Sequence, residues 1–224
     1  YCSQPLSSYR LRFVLREFFG ILCQKDELLK DELIAMIYQF SPLTCESIAF
    51  FLRVISEISD DEDEVFNNLL RYLLMNIISC LRNLTEDCEE AFEEINVMIK
   101  SQKIKFDKKE VKEEKDGVDS CAIWNYFVGV AKFLLTVIDW KENTTDFFIF
   151  VLTKISDSEL LDLLKILKSL IHDYIIEEGI AKAAFIVRHK PEQRQFILKV
   201  LEITPESPST WPEPCRKYIS TFFP

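Results

Sequence analysis

Glycine is scarce in this chain, whose 224 residues include only four glycines, at Gly20, Gly117, Gly129 and Gly179. An average protein has about 7% glycine. Phosphate-binding loops, dinucleotide-binding loops and nucleophile elbows are built on closely spaced glycines. No cluster of that kind is present here. The sequence therefore excludes the enzyme classes that depend on glycine-rich turns.

Apolar residues instead recur at three- and four-residue spacing along most of the chain, which is typical of amphipathic helices. The stretch from Ser156 to Glu159 matches a capping box and opens the clearest of these helices. Gly179 is interpreted as the left-handed residue that ends that helix. The other predicted helices cover residues 9–24, 26–40, a segment opened by Ser41 and Pro42, 62–83, 86–101, 120–139, 145–154, 180–189, 191–203 and 215–223.

Short connections between sequential helices favour antiparallel packing of neighbours. Helix pairs recur about every 40 residues, which is the size of a HEAT-type unit, although no internal repeat aligns. The sequence therefore predicts an all-α fold of about ten helices. Two architectures stay open, an irregular HEAT-like α-solenoid and a compact multi-helix bundle.

Residues 102–120 interrupt the helical pattern with a dense run of charges of both signs. Such composition is typical of a solvated linker. We expect an N-terminal helical subdomain at residues 1–101, a charged flexible linker or loop at 102–120, and a C-terminal helical subdomain at 121–224.

Seven cysteines are present, in irregular positions and without a Cys-x-x-Cys pair. This pattern favours reduced thiols in a helical core over a disulfide framework. It also gives no ligand spacing for zinc, so no metal or other cofactor is expected. Reduced cysteines indicate an intracellular protein, nuclear or cytoplasmic. The apolar run at 121–138 contains Lys132 and Asn125, and it is interpreted as a core helix and not as a membrane span.

Acidic residues are concentrated in one part of the chain. Residues 59–100 carry 11 acids against three basic residues, a net charge of −8, out of −10 for the whole chain. An acidic balance disfavours nucleic acid and anionic membranes as main partners. We expect this region to attract a basic partner protein through Glu89, Glu90, Glu93 and Glu94.

Aromatic side chains near the carboxyl end provide a second group of candidate contacts. Trp211, Phe222 and Phe223 lie close to several prolines, outside the long predicted helices. Exposed aromatics anchor many interfaces. The alternative is that they fold back onto the last helices.

The sequence thus predicts a non-catalytic scaffold or adaptor that binds other proteins within a larger hetero-complex, with no membrane contact and no small-molecule substrate. One alternative is a nucleic-acid-associated adaptor, because residues 180–203 carry a net charge of +3 and the first predicted helix is also basic. A second alternative is a helical enzyme with a site near His172, although no nucleophile signature accompanies this histidine. The candidate nucleic-acid contacts are Arg10, Arg12, Arg16, Arg188, Lys190 and Arg194.

Overall fold

The computed structural model describes residues 27–39, 43–58, 64–83, 88–102, 104, 120–136, 140–173 and 176–224. Across these residues the secondary structure consists of ten α-helices and three short 3-10 helices, without a strand. The prediction of an all-α fold with about ten helices is confirmed. The α-helices are α1 (Glu27–Gln39), α2 (Cys45–Ile58), α3 (Glu64–Asn83), α4 (Glu89–Lys100), α5 (Ser120–Leu134), α6 (Glu142–Lys154), α7 (Asp157–Asp173), α8 (Ile176–His189), α9 (Arg194–Leu201) and α10 (Ile219–Phe222).

The 3-10 helices cover Pro191–Gln193, Ser207–Ser209 and Glu213–Tyr218. The chain divides into two compact units, Tyr1–Phe127 and Val128–Pro224, and the division falls inside α5. The predicted helix at 9–24 and most of the 102–120 segment lie outside the described residues. The proposed subdomain boundaries, and the choice between solenoid and bundle, stay predictions.

In the first unit, α2 packs against both α3 and α4. Two faces of α2 are apolar and buried, with Ile48, Leu52 and Ile55 fully inaccessible to solvent. Thr44 precedes the helix, and its Oγ1 accepts a hydrogen bond from the backbone N–H of Ser47 at 3.2 Å. The helix therefore begins at Cys45, three residues after Pro42, where the sequence predicted its first turn. Pro42 itself lies outside the described residues.

Helix α3 buries a wide apolar surface, as its sequence predicts. Its buried residues include Phe66, Leu70, Leu74 and Ile77. The helix nevertheless keeps one exposed strip along its length, so it is not surrounded on all sides. That strip contains Asn68, Met75, Ser79 and Arg82.

Two of the seven cysteines do not behave as the sequence predicts. Cys45, at the start of α2, forms a disulfide with Cys88, which immediately precedes α4. Cys80 and Cys215 lie outside this disulfide and are buried, as expected of core thiols, and Cys80 Sγ donates to the carbonyl oxygen of Leu43 at 3.4 Å. The prediction of reduced thiols is therefore wrong for Cys45 and Cys88, and cysteine content no longer indicates a reducing compartment.

In the second unit, α8 is the helix around which the others pack. It contacts α6, α7, α9, α10 and the 3-10 helix Glu213–Tyr218. The capping box at its neighbour α7 forms as predicted: the backbone N–H of Ser156 donates to Glu159 Oε2 at 2.8 Å, and the N–H of Glu159 donates to Ser156 Oγ at 3.4 Å. These bonds satisfy backbone donors that the start of α7 would otherwise leave unpaired.

Gly179 does not end a helix, contrary to the prediction. It lies buried in the first turns of α8, and no described glycine has a positive φ. A Cβ added at this position would lie 2.6 Å from Cγ1 of Ile171 and 3.3 Å from the backbone of that residue in α7. Glycine is therefore required here because α7 and α8 approach each other closely.

The apolar run at 121–138 forms α5 up to Leu134, and two side chains secure the end of that helix. Lys182 Nζ, from α8, donates to the carbonyl oxygen of Leu135 at 2.6 Å, and Trp140 Nε1 donates to that of Leu134 at 2.7 Å. Lys182 is only 8% exposed, and its Nζ lies 5.4 Å from the centre of the Trp140 ring. Among the described residues, no helix combines the length and the apolar character that a membrane span requires.

Candidate interaction surfaces

The four glutamates of the predicted acidic face lie on α4 but differ in accessibility. Glu90 and Glu93 are exposed, Glu89 is half-buried and Glu94 is only 8% exposed. Val97, four residues after Glu93, continues the exposed side of the helix and is itself 53% exposed. The outer face of α4 therefore offers two exposed carboxylates followed by one apolar side chain.

Glu94 pairs with a cation inside the first unit and does not face a partner. Its Oε1 accepts hydrogen bonds from Nε of Arg53, at 2.7 Å, and from Nη2 of the same residue. The expectation that Glu94 belongs to the exposed acidic face is wrong because the helical position of Glu94 points it toward α2. Hydrogen bonding to Glu94 raises the pKa of Arg53, against the opposing effect of burial.

An exposed apolar patch lies on α1 and α3 of the same unit. Tyr38 and Tyr72 meet edge to face with ring centres 4.9 Å apart, and Tyr38 is 43% exposed. Met75, 52% exposed, lies one turn after Tyr72 on α3. Burial raises the pKa of the Tyr38 hydroxyl, and the neighbouring Tyr72 raises it further. We call Tyr38, Tyr72 and Met75 the tyrosine–methionine patch.

Little in the sequence predicts this patch. Tyr38 and Tyr72 are 34 positions apart, and only the tertiary fold brings Tyr38 of α1 against Tyr72 of α3. A helical projection of α3 alone would have placed Met75 on the exposed strip with Asn68 and Ser79. Such a projection could not have shown that Tyr38 of α1 lies against Tyr72.

Two of the three carboxyl-terminal aromatics are core residues. Trp211 is 8% exposed and Phe222 is 1% exposed, and their ring centres lie 5.5 Å apart in an edge-to-face arrangement. Phe223 is half-buried. The expectation that Trp211 and Phe222 stand exposed as interface anchors is wrong in this structure. Both fold back, as the alternative predicts, because α10 and the preceding 3-10 helix pack on α8.

The predicted basic residues fall into two groups. Arg10, Arg12 and Arg16 lie outside the described residues. In the second unit Arg188 is exposed, Lys190 and Arg194 are half-buried, and Lys182 is buried against Trp140. The positive charge of residues 180–203 is therefore spread over several environments and does not form one continuous exposed surface.

Arg188 belongs to a compact group of polar side chains that the sequence did not predict. Its Nη2 lies 3.5 Å from Thr221 Oγ1, and its Cζ lies 5.9 Å from the centre of the Tyr218 ring. Lys217 Nζ lies 5.0 Å from the centre of the same ring. We call Arg188, Lys217, Tyr218 and Thr221 the Tyr218 cluster. The run Arg216-Lys217-Tyr218 was a signal in the sequence, but its proximity to Arg188 depends on the fold.

His172 lies at the carboxyl end of α7 in an exposed group of charges. Its Nε2 is 3.9 Å from Glu202 Oε2, and Lys168 Nζ is 2.6 Å from Glu202 Oε1. Hydrogen bonding to Lys168 lowers the pKa of Glu202. The side chains of His172 and Glu202 are each more than half exposed. A catalytic role for His172 stays a prediction.

Within the part of the chain that the structure describes, no three His, Cys, Asp or Glu side chains come together in a way that could hold a metal ion. No protein-family model matches the chain, and no curated protein or solved structure matches it either.

Proposed function

We propose that this protein is a helical protein–protein interaction module, and that its first unit binds a partner through the tyrosine–methionine patch. The observation that carries the proposal is that two exposed large side chains, Tyr38 and Met75, lie on either side of the half-buried Tyr72. Single exposed apolar residues are common on protein surfaces, whereas contiguous ones mark interaction sites. Tyrosine and methionine are also enriched at interfaces.

Exposed charge supports a partner with basic character. The unit Tyr1–Phe127 has a net charge of −9 by sequence, whereas Val128–Pro224 has −1. Glu90 and Glu93 contribute exposed carboxylates on α4. Acidic surfaces of this kind accelerate association with basic proteins and discriminate against acidic ones. The proposed partner is therefore a protein segment with an apolar anchor and flanking lysine or arginine.

The test compares the partners recovered with three versions of the full chain by affinity purification and quantitative mass spectrometry. Tyr38→Ser with Met75→Ser removes the patch, and Glu90→Lys with Glu93→Lys reverses the exposed charge. The matched control, Ile176→Ser with Phe196→Ser, alters two exposed apolar side chains of the second unit, which are 39% and 37% exposed.

We expect the patch variant to lose its partners selectively, since truncating an anchor residue costs more than about 1 kcal/mol, or at least fivefold in affinity. The charge variant should weaken recovery most at low salt. The control should recover the parent's partners. An identical partner list for the parent and both first-unit variants would refute the proposal.

A further inference from the structure

The Tyr218 cluster concentrates positive charge at one point of an otherwise acidic chain. Arg188 lies in the last turn of α8, while Lys217 and Tyr218 end the 3-10 helix Glu213–Tyr218. Because α8 packs against that 3-10 helix and against α10, the fold brings both cations to the same tyrosine ring. Arg188 and Lys217 are both exposed, and Tyr218 and Thr221 are half-buried.

Among the residues that the structure describes, these two cations have no carboxylate partner. Neither Arg188 nor Lys217 forms an ion pair within the described parts of the second unit, whereas Lys132 and Lys165 pair with Asp162 and Lys168 pairs with Glu202. Burial raises the pKa of the nearby Cys215 thiol, and Glu177, at the start of α8, raises it further, whereas Lys217 lowers it. Positive charge at the cluster is therefore available to an external anion.

Hydrogen-bonding capacity is also available. Thr221 Oγ1 accepts from Arg188 Nη2 at 3.5 Å, which leaves the hydroxyl proton to donate. The planar guanidinium has further N–H groups directed away from Thr221, because arginine carries five donors in a fixed arrangement. An arginine, a lysine and a hydroxyl offer at least three donors. A phosphate monoester presents three acceptor oxygens, and a carboxylate presents only two.

We propose that the Tyr218 cluster binds a phosphorylated side chain of a partner protein, with Arg188 and Thr221 donating to phosphate oxygens and Lys217 contributing the second positive charge. Clusters of arginine are a recurring means of recognising phosphorylated peptides. This site lies in the second unit and does not depend on the tyrosine–methionine patch of the first.

The distribution of charge favours a single phosphate over a polyanion. Nucleic acids and anionic membranes need a basic surface that extends over several phosphates or lipid headgroups. Here Lys190 and Arg194 are half-buried, and the unit as a whole has a net charge of −1. An extended polyanion would have to bind beyond the cluster, over a unit whose net charge is −1, whereas one phosphorylated side chain would need only the cluster.

The test uses the full chain labelled with 15N and follows its amide resonances during titration. The probe is a short alanine peptide with one phosphoserine at its centre, compared with the same peptide carrying serine or glutamate. A single-stranded oligonucleotide of the same length and vesicles containing phosphatidylserine are the other arms. We expect saturable shifts at Arg188, Lys217, Tyr218 and Thr221 with the phosphopeptide, with a dissociation constant on the order of 1 mM.

Two variants test the assignment of residues. Arg188→Gln with Lys217→Gln should weaken phosphopeptide binding by at least about tenfold, because it removes both positive charges that make charge-assisted hydrogen bonds to the phosphate. Both side chains are exposed, so the fold should persist, and the amide spectrum verifies this. Thr221→Val keeps the charge and shape of the cluster, and it should weaken binding by a few fold. The matched control, Lys165→Gln with Lys199→Gln, removes the same charge elsewhere in the unit and should bind as the parent does.

Absence of saturable shifts with the phosphopeptide would overturn the proposal. Equal binding by the parent and the Arg188→Gln, Lys217→Gln variant would overturn it as well. Tighter binding of the oligonucleotide or the vesicles, lost in that same variant, would show that the cluster serves a polyanion and would refute the assignment to a partner protein.

Discussion

Replacement of Gly179 by alanine tests whether close contact between α7 and α8 explains this glycine. The added Cβ would lie 2.6 Å from Ile171 Cγ1, whereas carbon atoms normally pack at about 3.5–4.0 Å. Cγ1 is near the base of its side chain and has little freedom to withdraw. The backbone of Ile171, 3.3 Å away, must also shift. Overpacking of this kind typically costs about 1–3 kcal/mol.

Helix propensity acts in the opposite direction, since alanine is favoured over glycine in a helix by up to about 1 kcal/mol. We therefore expect Gly179→Ala to lower the free energy of unfolding of the second unit by about 1–2 kcal/mol. Hydrogen exchange measured by mass spectrometry on peptides from α7 and α8 is the suitable assay. It reports on this unit separately, and the presence of two units makes a single global transition an unsafe assumption.

A double-mutant cycle with Ile171→Ala supplies the control. Truncation of Ile171 removes Cγ1 and leaves only the 3.3 Å contacts with its backbone, so the alanine at position 179 should then cost much less, with its helix propensity offsetting what remains. A coupling energy of at least about 1 kcal/mol is expected between residues in direct contact. If Gly179→Ala carries the same cost in both backgrounds, or stabilises the parent, steric contact with Ile171 is not the reason for glycine.

Four further predictions follow from named interactions. Glu94→Gln should destabilise the first unit by about 2–4 kcal/mol in urea unfolding, because it leaves Arg53 uncompensated; loss of less than about 0.5 kcal/mol would contradict this. Non-reducing peptide mapping should recover Cys45 linked to Cys88, and Cys88→Ser should cost up to about 4 kcal/mol from the closed loop; free thiols at both positions would refute the bond. Ser156→Ala should cost about 1 kcal/mol in α7 through loss of the cap, and unchanged hydrogen exchange there would argue against it. Burial lowers the pKa of Lys182 in the folded protein to about 8. Between pH 8 and about 10.4, the ordinary pKa of lysine, the unfolded state therefore binds more protons than the folded state does. Stability should therefore rise with pH through that window, by about 2 kcal/mol relative to Lys182→Met, and a pH-independent difference would exclude the shift.

Local chemistry accounts for what the sequence predicted correctly. The capping box at Ser156 and Glu159 involves residues three positions apart, so its formation depends little on the rest of the fold. Periodicity likewise identified most helices, and their limits differ from the prediction by a few residues. Gly179 shows where local information is ambiguous: a left-handed helix end and a tight helix crossing both favour glycine. Only the position of Ile171 distinguishes them.

Long-range packing accounts for what the sequence did not predict. Trp211 and Phe222 pair with each other across a proline-containing segment, and composition alone made them appear accessible. Tyr38 meets Tyr72, and Arg188 meets Tyr218, for the same reason. The disulfide joins Cys45 to Cys88 across 43 positions of sequence. None of these contacts has a signature in the spacing of neighbouring residues.

Glu94 and Lys182 are a third case, because the sequence did contain a signal for their burial. Glu94 is three residues after Ala91 and four before Met98, both of which are buried. Lys182 is likewise four residues before Ile186, another buried position. A charge on the apolar side of a helix must find a partner, since an unpaired buried charge is costly. Glu94 finds Arg53, and Lys182 finds the Leu135 carbonyl.

Because Arg53 pairs with Glu94, the net charge of residues 59–100 overstates the negative charge that a partner protein would meet. The net charge of −8 over residues 59–100 includes Glu94, whose charge Arg53 already compensates. The exposed carboxylates of α4 are those of Glu90 and Glu93, on the same side of the helix as Val97. A basic partner that recognises this face therefore has to match two carboxylates and one apolar side chain at helical spacing. That geometry is much more restrictive than general attraction to an acidic segment.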